Sequence, residues 1–556
     1  MFPEILNGRK KRISAVTGKL LPKTTNKAIA KNDQHMNTKA SLLTLLFFTA
    51  GCLLARAQNS VGIFENSADI GSPKTAGSAS YDAGTQSYTI KGGGSNIWFN
   101  RDEFHFLYSR LKGDFILTAD FAFTGDTSGA VGHRKIGWMI RESTDEGAAS
   151  ANACKHIDGL VVLQWRPYHG MYMRDPEEER FYPKRGGQTI QLSRIGRTIT
   201  MKIAHPGEPL QLVGSYETET LAGDVLAGLY ICAHDSNTLA TAKVWNVRID
   251  KPVLHPWSSN PHAAQSQVRQ TLGSRLEIID LADNSRRVIH ESKGRFEAPN
   301  WMPDGNKLLF NEGGSLYTIS TEGGAPDRLN TGEAGRINND HMISFDGKML
   351  GISNSRQGLP GGGSTVYTLP LAGGEPHQVT EGTPSYLHGW APGGKEVAIV
   401  AKRNGSAVYN LYKVSLKDNR ETALTTNTAN HVDGPEYSPD GKYIYYNANV
   451  SGTMQIWRMH PDGSGKEQLT FDDYHNWFPH ISPDGKWIVY ISFPMDINPD
   501  EHPSYEDVTL RVMPLTAPGA PRVIAYLYGG QGTLNAPSWS PDSKRLAFVS
   551  NSEQAQ

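Results

Sequence analysis

The chain has 556 residues, and its 55 lysines and arginines against 56 aspartates and glutamates give a formal net charge of −1. This balance argues against a nucleic-acid-binding protein and against a polybasic protein of the membrane surface. The length is sufficient for several domains with their own cores. The 57 glycines and 32 prolines are typical of a turn-rich β protein, so the composition favours an all-β fold.

An export signal is the first element predicted from the amino terminus. The apolar run LLTLLFFTAGCLL at 42–54 is followed by Ala55-Arg56-Ala57. The run is too short to span a bilayer comfortably, and its flanks predict a secretory signal over 36–57 that is cut after the second alanine. Residues 1–35 are then an extension ahead of the true start. We expect a periplasmic or secreted protein without a transmembrane segment after cleavage; an uncleaved anchor and a lipoprotein attached at Cys52 are the alternatives.

Residues 58–250 show the period-two pattern of half-buried strands, with Gly-rich turns between them. One predicted strand face carries Phe115, Leu117, Ala119, Phe121 and Phe123. This pattern predicts a β-sandwich. The strands GDFILTADFAF, IGWMIRES, HIDGLVVLQWR and ATAKVWNVRID resemble the concanavalin-A/laminin-G-like jelly rolls of secreted bacterial proteins. The resemblance implies a jelly-roll domain, a fold that binding proteins and enzymes share.

The predicted sandwich contains two cysteines, Cys154 and Cys232. Export permits a disulfide between them. The sequence does not show that they meet, so two buried free thiols are the alternative.

A linker is predicted over 251–268, and a repeated domain follows over 269–556. Six turns of Pro-Asp-Gly type recur about every 45 residues, at Pro303-Asp304-Gly305, Phe345-Asp346-Gly347, Pro392-Gly393-Gly394, Pro439-Asp440-Gly441, Pro483-Asp484-Gly485 and Pro541-Asp542-Ser543. Four strands in each repeat predict propeller blades. The last turn has only two strands around it, and Arg275–Asp280 with Arg287–Ile289 supply the other two. We therefore predict an all-β protein, a sandwich followed by a six-bladed β-propeller whose last blade is closed by its N-terminal strands.

The repeats PEYSPDGKYIYY, WFPHISPDGKWIVY and PSWSPDSKRLAFVS resemble those of the TolB-type, WD40-like propeller family. The resemblance covers about 270–556 and implies a six-bladed propeller. TolB carries a small α/β domain ahead of its propeller, whereas a β-sandwich is predicted here. The role of TolB in the Tol–Pal system is therefore not transferred to this chain.

The mouth of the propeller channel is the predicted binding site. Counting seven residues back from the middle of each turn gives a polar or aromatic position that varies between blades, whereas a structural position would tend to repeat. The predicted ligand-binding residues at the mouth are Glu297, Asn339, His341, Tyr386, Trp477, Gln531 and Asn535. A solvated mouth without a ligand is the alternative.

Histidines and a carboxylate in the same region are candidates for chemistry. The catalytic candidates are His388, His431, Asp433, His480 and His502. The candidate ligands for a divalent Mn, Ca or Zn ion are His341, His388 and His431. His502 lies in an insertion, 495–503, which is predicted between the second and third strands of the fifth blade and on the mouth side.

Three functions follow from these features. The favoured one is recognition of a glycan or envelope polysaccharide at the mouth, assisted by the lectin-like sandwich, and the other two are alternatives. The second is a metal-assisted glycan lyase or hydrolase at the same place. The third is a TolB-like scaffold that docks envelope proteins. The sequence contains no G-x-S-x-G motif, P-loop or dinucleotide fingerprint in a suitable context, which argues against a prolyl-oligopeptidase-type or nucleotide-dependent enzyme.

Overall fold

Residues 60–252 form two antiparallel sheets of seven strands each. We describe residues 60–125, 127–174, 177–252, 272–516 and 519–552 of a computed structural model. The predicted signal at 36–57, the extension before it and nearly all of the predicted linker lie outside these residues. Within the described ranges no helix is long and apolar enough to cross a membrane.

The fourteen strands of this region are named in chain order: β1 (Asn66–Ile70), β2 (Ser78–Asp82), β3 (Ser87–Gly92), β4 (Phe104–Leu111), β5 (Phe115–Thr124), β6 (Lys135–Arg141), β7 (Ser150–His156), β8 (Val161–Arg166), β9 (Glu179–Phe181), β10 (Thr189–Ile195), β11 (Thr198–Ala204), β12 (Gln211–Glu217), β13 (Val225–Cys232) and β14 (Ala240–Asp250). One sheet has the order β1-β4-β13-β6-β7-β8-β9, and the other has the order β12-β11-β10-β5-β14-β3-β2. Alternating apolar side chains of both sheets share one core, as the period-two pattern predicts. In this core the ring of Trp138 from β6 packs edge-on against Phe121 from β5 at 6.1 Å, and its indole Nε1 donates to the Ile190 carbonyl at 3.1 Å.

Cys154 on β7 and Cys232 on β13 are buried on the first sheet. Both are free thiols, so the second of the two sequence alternatives holds. Burial raises the pKa of each thiol to about 11.

Residues 272–552 form a six-bladed propeller. Blades 1 to 5 have four strands each, given from the channel outward: Phe296–Trp301, Lys307–Glu312, Ser315–Ser320 and Asp327–Arg328; Ile337–Ile343, Met349–Ser355, Ser364–Pro370 and His377–Gln378; Ser385–Trp390, Glu396–Ala401, Asn410–Ser415 and Glu421–Ala423; Val432–Tyr437, Ile444–Ala448, Gln455–Met459 and Glu467–Gln468; His475–Ile481, Trp487–Phe493, Ser504–Pro514 and Arg522–Gly530. The sheet of blade 6 has the order Arg286–Ser292, Gly273–Asp280 and Arg545–Ser552, and Trp539 adds a single bridge to Leu546. A short 3-10 helix, Pro360–Gly363, lies in blade 2.

Hydrogen bonds join the inner strands of neighbouring blades around the channel. Trp390 of blade 3 donates its Nε1 to the carbonyl of Met342 in blade 2 at 3.1 Å. Trp539 of blade 6 donates in the same way to the carbonyl of His480 in blade 5 at 2.9 Å. Because these indoles are buried, each bond satisfies a polar group that would otherwise be costly. The inner ends of the blades are therefore held in a fixed arrangement.

A buried ionic network joins the sandwich to the propeller. Glu277 of blade 6 is fully buried and accepts hydrogen bonds from Arg248 of β14 at 2.5 Å and from Arg286 at 2.8 Å. Asp250 at the end of β14 forms an ion pair with Arg275 of blade 6. Charge-assisted bonds of this kind are strong and directional when they are buried. The sandwich is therefore held to blade 6 by side chains as well as by the chain itself.

Candidate functional site

A shift in β-register at the mouth end of the inner strands positions the site. The pairing between inner and second strands shifts at Glu297/Asn300, Ile337/His341, Leu387/Gly389, Asp433/Glu436 and Trp477/His480. A β-bulge locally breaks the alternation of a strand and redirects side chains. Gly434 has φ of +61°, a conformation that suits glycine. The irregular backbone at these shifts therefore determines the direction of the mouth side chains, and regular strand pairing resumes further along each inner strand.

His388 is the central residue of the mouth, and it lies between two carboxylates from neighbouring blades. Its Nε2 is 3.2 Å from Oδ1 of Asp433 in blade 4 and 3.8 Å from Oδ1 of Asp340 in blade 2. The side chain of Asn338 donates to Asp340 at 2.6 Å, and the backbone N–H of Gly434 donates to Asp433 at 2.7 Å. His388 and Asp340 are buried, and Asp433 is half-buried. We call His388, Asp340 and Asp433 the mouth triad.

Burial and mutual charge shift all three pKa values in the mouth triad. Burial raises the pKa of Asp340 to about 6; the like charge of Asp433 adds to this effect, and His388 opposes it. Burial acts to lower the pKa of His388, but the two carboxylates outweigh it and raise that pKa. Burial acts to raise the pKa of Asp433, but His388 outweighs it and lowers that pKa. The geometry thus favours an imidazolium paired with Asp433 and a more weakly acidic Asp340.

Aromatic rings and the insertion loop form the wall beside the mouth triad. The ring of Phe478 lies nearly parallel to His388 at 6.1 Å, and the ring of His502 packs edge-on against Trp477 at 4.5 Å. His502 Nε2 is 3.9 Å from Asp433 Oδ2. The loop 494–503 that carries His502 connects Trp487–Phe493 to Ser504–Pro514. Four residues predicted from the sequence, His388, Asp433, Trp477 and His502, therefore meet at one place.

The insertion loop of blade 5 is anchored to blade 4 on one side and to residues between blades 6 and 1 on the other. Asp500 accepts a hydrogen bond from Asn449 of blade 4. The carbonyl of Pro503 accepts from the backbone of Gln531 at 2.9 Å, and Arg295 donates to Ser504 at 2.7 Å. His502 is consequently held in place over the mouth triad.

Three other predicted residues form a separate corner of the mouth, between blades 6 and 1. Glu297 forms an ion pair with Arg295 and contacts the turn at Gly532. Arg295 also donates to the carbonyl of Gln531 at 3.1 Å. Asn535 accepts from the backbone of Gly532 at 2.7 Å. This corner shapes the loop 529–535, and its charges are paired.

Two predicted histidines lie between blades and form hydrogen bonds with residues of neighbouring blades. His480 contacts Glu436 at 2.5 Å through Nδ1 and the carbonyl of Leu534 at 3.0 Å through Nε2, so both ring nitrogens are occupied. His341 is fully buried, and its Nδ1 is 3.0 Å from Oδ1 of Asn300. Burial lowers the pKa of His341 to about 3, which keeps the ring neutral.

The remaining predicted residues lie near the mouth or in the blade interior. Tyr386 and Tyr409 pack edge-on at 6.1 Å, and the ring of His431 lies 6.3 Å from Tyr409. Burial raises the pKa of Tyr386. Asn339 is buried in the inner strand of blade 2. His341, His388 and His431 thus come from three neighbouring blades with different partners. In the part of the chain that is described, no group of three or more His, Cys, Asp and Glu side chains is arranged to hold a metal ion.

The sequence did not single out Asp340 or Phe478. In a strictly alternating strand, Asp340 and Phe478 would face away from the side on which the predicted residues Asn339 and Trp477 lie. Phe478 has φ of +53°, and the register in blade 2 shifts between Ile337 and His341, so alternation fails at both residues. The polar run Asn338-Asn339-Asp340-His341 within an inner strand was the available signal.

Residues 385–498 match the family model of the TolB β-propeller domain, PD40. The fold and this match together define the chain as a protein with a TolB-type β-propeller. The uncharacterized protein Atu1656 of Agrobacterium fabrum is 41% identical over 280 residues, an alignment that covers 50% of this chain and 92% of that protein. The chain belongs to the same family as Atu1656.

Two further similarities concern proteins described as TolB. The Tol-Pal system protein TolB of Francisella tularensis is 23% identical over 241 residues, which covers 42% of this chain and 53% of that protein. A solved structure from Agrobacterium tumefaciens, described provisionally as TolB, is 40% identical, covers 51% of this chain and 99% of that chain, and has a TM-score of 0.47.

Proposed function

We propose that this chain is a TolB-like docking protein of the cell envelope, whose propeller binds a segment of a partner protein at the channel mouth. The match to the TolB propeller domain supports this function. The envelope location is supported by the predicted signal at 36–57 and by the similarity to a Tol-Pal system protein. The alignment covers only 53% of TolB, so the partner of TolB is not transferred to this chain.

The observation that carries the proposal is an exposed apolar rim on the mouth side of blades 4 and 5. Val450 lies between the second and third strands of blade 4, Phe471 precedes the inner strand of blade 5, and Met495 lies in the insertion. Because strands alternate in direction, all these loops lie at the end where the inner strands begin. The exposed fractions are 51% for Val450, 76% for Phe471 and 47% for Met495. Exposed apolar side chains around a polar centre are typical of a surface that binds protein.

The same proposal covers the architecture that the sequence predicts. We infer that residues 60–252 are a concanavalin-A/laminin-G-like jelly roll, supported by the two seven-stranded sheets with a shared core. We also infer that the N-terminal strands close the ring, supported by the pairing of Gly273–Asp280 with Arg545–Ser552 along its whole length.

Glycan recognition and the metal-assisted lyase, which the sequence also suggested, have no support from the relatives reported above. A protein partner fits the apolar rim, because exposed apolar side chains of this kind are typical of protein-binding surfaces. A glycan array with the full chain provides the direct comparison between the two.

Site-specific photocrosslinking in the producing cell tests the docking function. A photoreactive phenylalanine analogue at Phe471 is expected to give a discrete protein adduct, whose partner is then identified and purified. Phe471→Ser is expected to weaken that partner about tenfold or more, because buried aromatic anchors contribute about 2 kcal/mol. The matched control is Phe345, which is 47% exposed in the turn at the opposite end of blade 2. Identical adducts from both positions, or none from Phe471, would contradict the proposal.

A further inference from the structure

The carboxylates of the mouth are not equally neutralised. Glu297 is paired with Arg295, and Glu436 contacts His480 and also accepts the backbone N–H of Ile481 at 3.0 Å. Asp340 and Asp433 share the imidazole of His388, and His502 Nε2 lies 3.9 Å from Asp433 alone. No lysine or arginine of the described ranges lies within 4.0 Å of either carboxylate. With both carboxylates ionised, the mouth triad therefore carries a net negative charge even when His388 is protonated. A buried charge without a counter-charge is unfavourable, so a cation is attracted there.

The spacing of the two carboxylates suits one organic cation. Both Oδ1 atoms lie near the same nitrogen of His388, so they are at most about 7 Å apart. His388 Nε2 already lies between the two Oδ1 atoms, so an ammonium or guanidinium group would contact both carboxylates from beside the imidazole ring, using several of its N–H donors. An ammonium has three donors, and a guanidinium has five in a planar fork.

Two buried nitrogen atoms of the mouth residues His388 and Trp477 are suited to a ligand with hydrogen-bond acceptors, such as a peptide. His388 is 3% exposed and Trp477 is 2% exposed. His388 Nδ1 and Trp477 Nε1 are without a hydrogen-bond partner among the residues described. Both are free to bond to groups of an incoming chain, such as backbone carbonyls. Trp477 lies outside the mouth triad, so its unpartnered Nε1 is an observation separate from the carboxylates.

The aromatic wall accommodates the apolar stem of such a side chain. Tyr386, Tyr409 and Phe478 surround the carboxylates with ring surface. Lys402 places its Nζ 4.6 Å from the ring centre of Tyr409, so one cation–π contact is already present at the edge of this wall. Long cationic side chains pack their methylene groups against apolar surface while their charged end is bonded elsewhere.

We propose that the docked partner presents a lysine or arginine side chain, whose cationic group contacts Asp340 and Asp433 beside the ring of His388. This inference rests on the proposed docking function. It adds the chemical nature of the contact at the centre of the mouth, inside the apolar rim.

Selection of random peptides on the full chain tests this inference. Peptides displayed on phage are selected on the immobilised full chain. Those that bind the wild type but lose binding to Phe471→Ser are kept as mouth ligands. We expect them to share one lysine or arginine at a fixed position. Changing that lysine to norleucine is expected to raise the Kd about 10- to 100-fold on the wild type, the range of close interfacial charge pairs. On Asp340→Asn or Asp433→Asn the same change is expected to raise the Kd less than about threefold.

Asp327→Asn is the matched control, because it removes the same charge away from the mouth. Asp327 is 79% exposed in the outer strand of blade 1, and its one ion-pair partner among the described residues, Lys307, is 3.8 Å away. The variant is expected to retain the full effect of the norleucine change. Mouth peptides without a basic residue would overturn the cation inference and leave docking intact. Failure to select any mouth peptide, together with no crosslinked partner, would overturn docking itself. Displacement of the peptide by calcium or manganese, with metal bound at the same carboxylates, would assign the site to a metal instead.

Discussion

His388 and Asp433 belong to different blades, yet Nε2 of His388 lies 3.2 Å from Oδ1 of Asp433. The contact joins the inner strands of blades 3 and 4 at their mouth ends. Because Asp340 approaches the same nitrogen at 3.8 Å, the histidine is the common partner of carboxylates from both flanking blades. The protonation of this one ring therefore affects the charge of the whole mouth.

Asp433→Asn is expected to lower the pKa of His388. Burial acts to lower this pKa, and the charges of Asp340 and Asp433 raise it, so removal of one charge shifts the balance toward the neutral ring. The measurement is an NMR titration of selectively labelled histidine, with His388→Gln to assign the signal. Asp327→Asn serves as the control and is expected to leave the titration unchanged. An unchanged His388 pKa in Asp433→Asn would show that the contact is not electrostatic in origin.

Binding of a cationic peptide at the mouth is expected to weaken as the pH falls from about 7 to 5. The pKa of Asp340 is raised to about 6, so its negative charge is lost in this interval, and protonation of His388 acts in the same direction. The groups that face Asp340 are His388, Asp433, Asn338 and Glu297. Calorimetric Kd values measured across this range on wild type and Asp340→Asn test the point. The variant is expected to bind more weakly at pH 7 and to vary less with pH.

Glu277→Gln is expected to destabilise the protein at neutral pH by about 3–5 kcal/mol, the cost of removing one partner from a buried ionic network. Burial acts to raise the pKa of Glu277, but Arg248 and Arg286 outweigh it and hold that pKa far below 4.5. The unfolded chain therefore binds the proton more readily, so this stabilisation is complete above about pH 4.5 and is lost as the pH falls toward the folded pKa. Urea unfolding between pH 7 and 3 measures it.

The control for Glu277→Gln is Glu322→Gln, an exposed residue paired with Arg287 at 3.1 Å. This change is expected to alter the free energy of unfolding by less than about 1 kcal/mol. Equal losses in the two variants would contradict a special role for the junction between sandwich and propeller.

Gly434→Ala is expected to cost about 1–2 kcal/mol, because the residue has φ of +61°, which L residues with a side chain adopt only with strain. A Cβ at this position would lie 2.9 Å from Oδ1 of Asn447. The change should also move Asp433 away from His388. Gly393→Ala in the turn of blade 3 is the control, since nothing lies within 4 Å of its added Cβ. Equal unfolding free energies for the two variants would show that the bulge is not strained.

Cys154 and Cys232 are expected to resist alkylation in the folded protein and to react fully after unfolding. Both thiols are buried, and burial raises each pKa to about 11, so little thiolate is present at neutral pH. Peptide mapping after iodoacetamide treatment, with and without urea, locates the label. A peptide that links the two cysteines would contradict this result.

The repeated turns were the strongest predictive signal, because proline, aspartate and glycine each restrict the backbone in the same direction. They located the inner strands, and counting back from them found Asp433 and Trp477 at the mouth. The same counting could not find Asp340 or Phe478, because a register shift is a backbone event that side-chain spacing does not encode. The histidine content was a weaker guide to the site, because both ring nitrogens of His480 are bonded in contacts between blades.

The register shifts at the mouth have a consequence for how this family can diversify. Below each shift the ladder resumes its ordinary pairing, as at Asn300–Leu309 in blade 1 and Glu436–Tyr445 in blade 4. A substitution on the mouth side of the shift changes the side chains exposed to a ligand and leaves the regularly paired part of the strand unaltered. Recognition can thus be rewritten one blade at a time on an inherited scaffold, so relatives with the same six blades are expected to differ most in this upper ring of side chains.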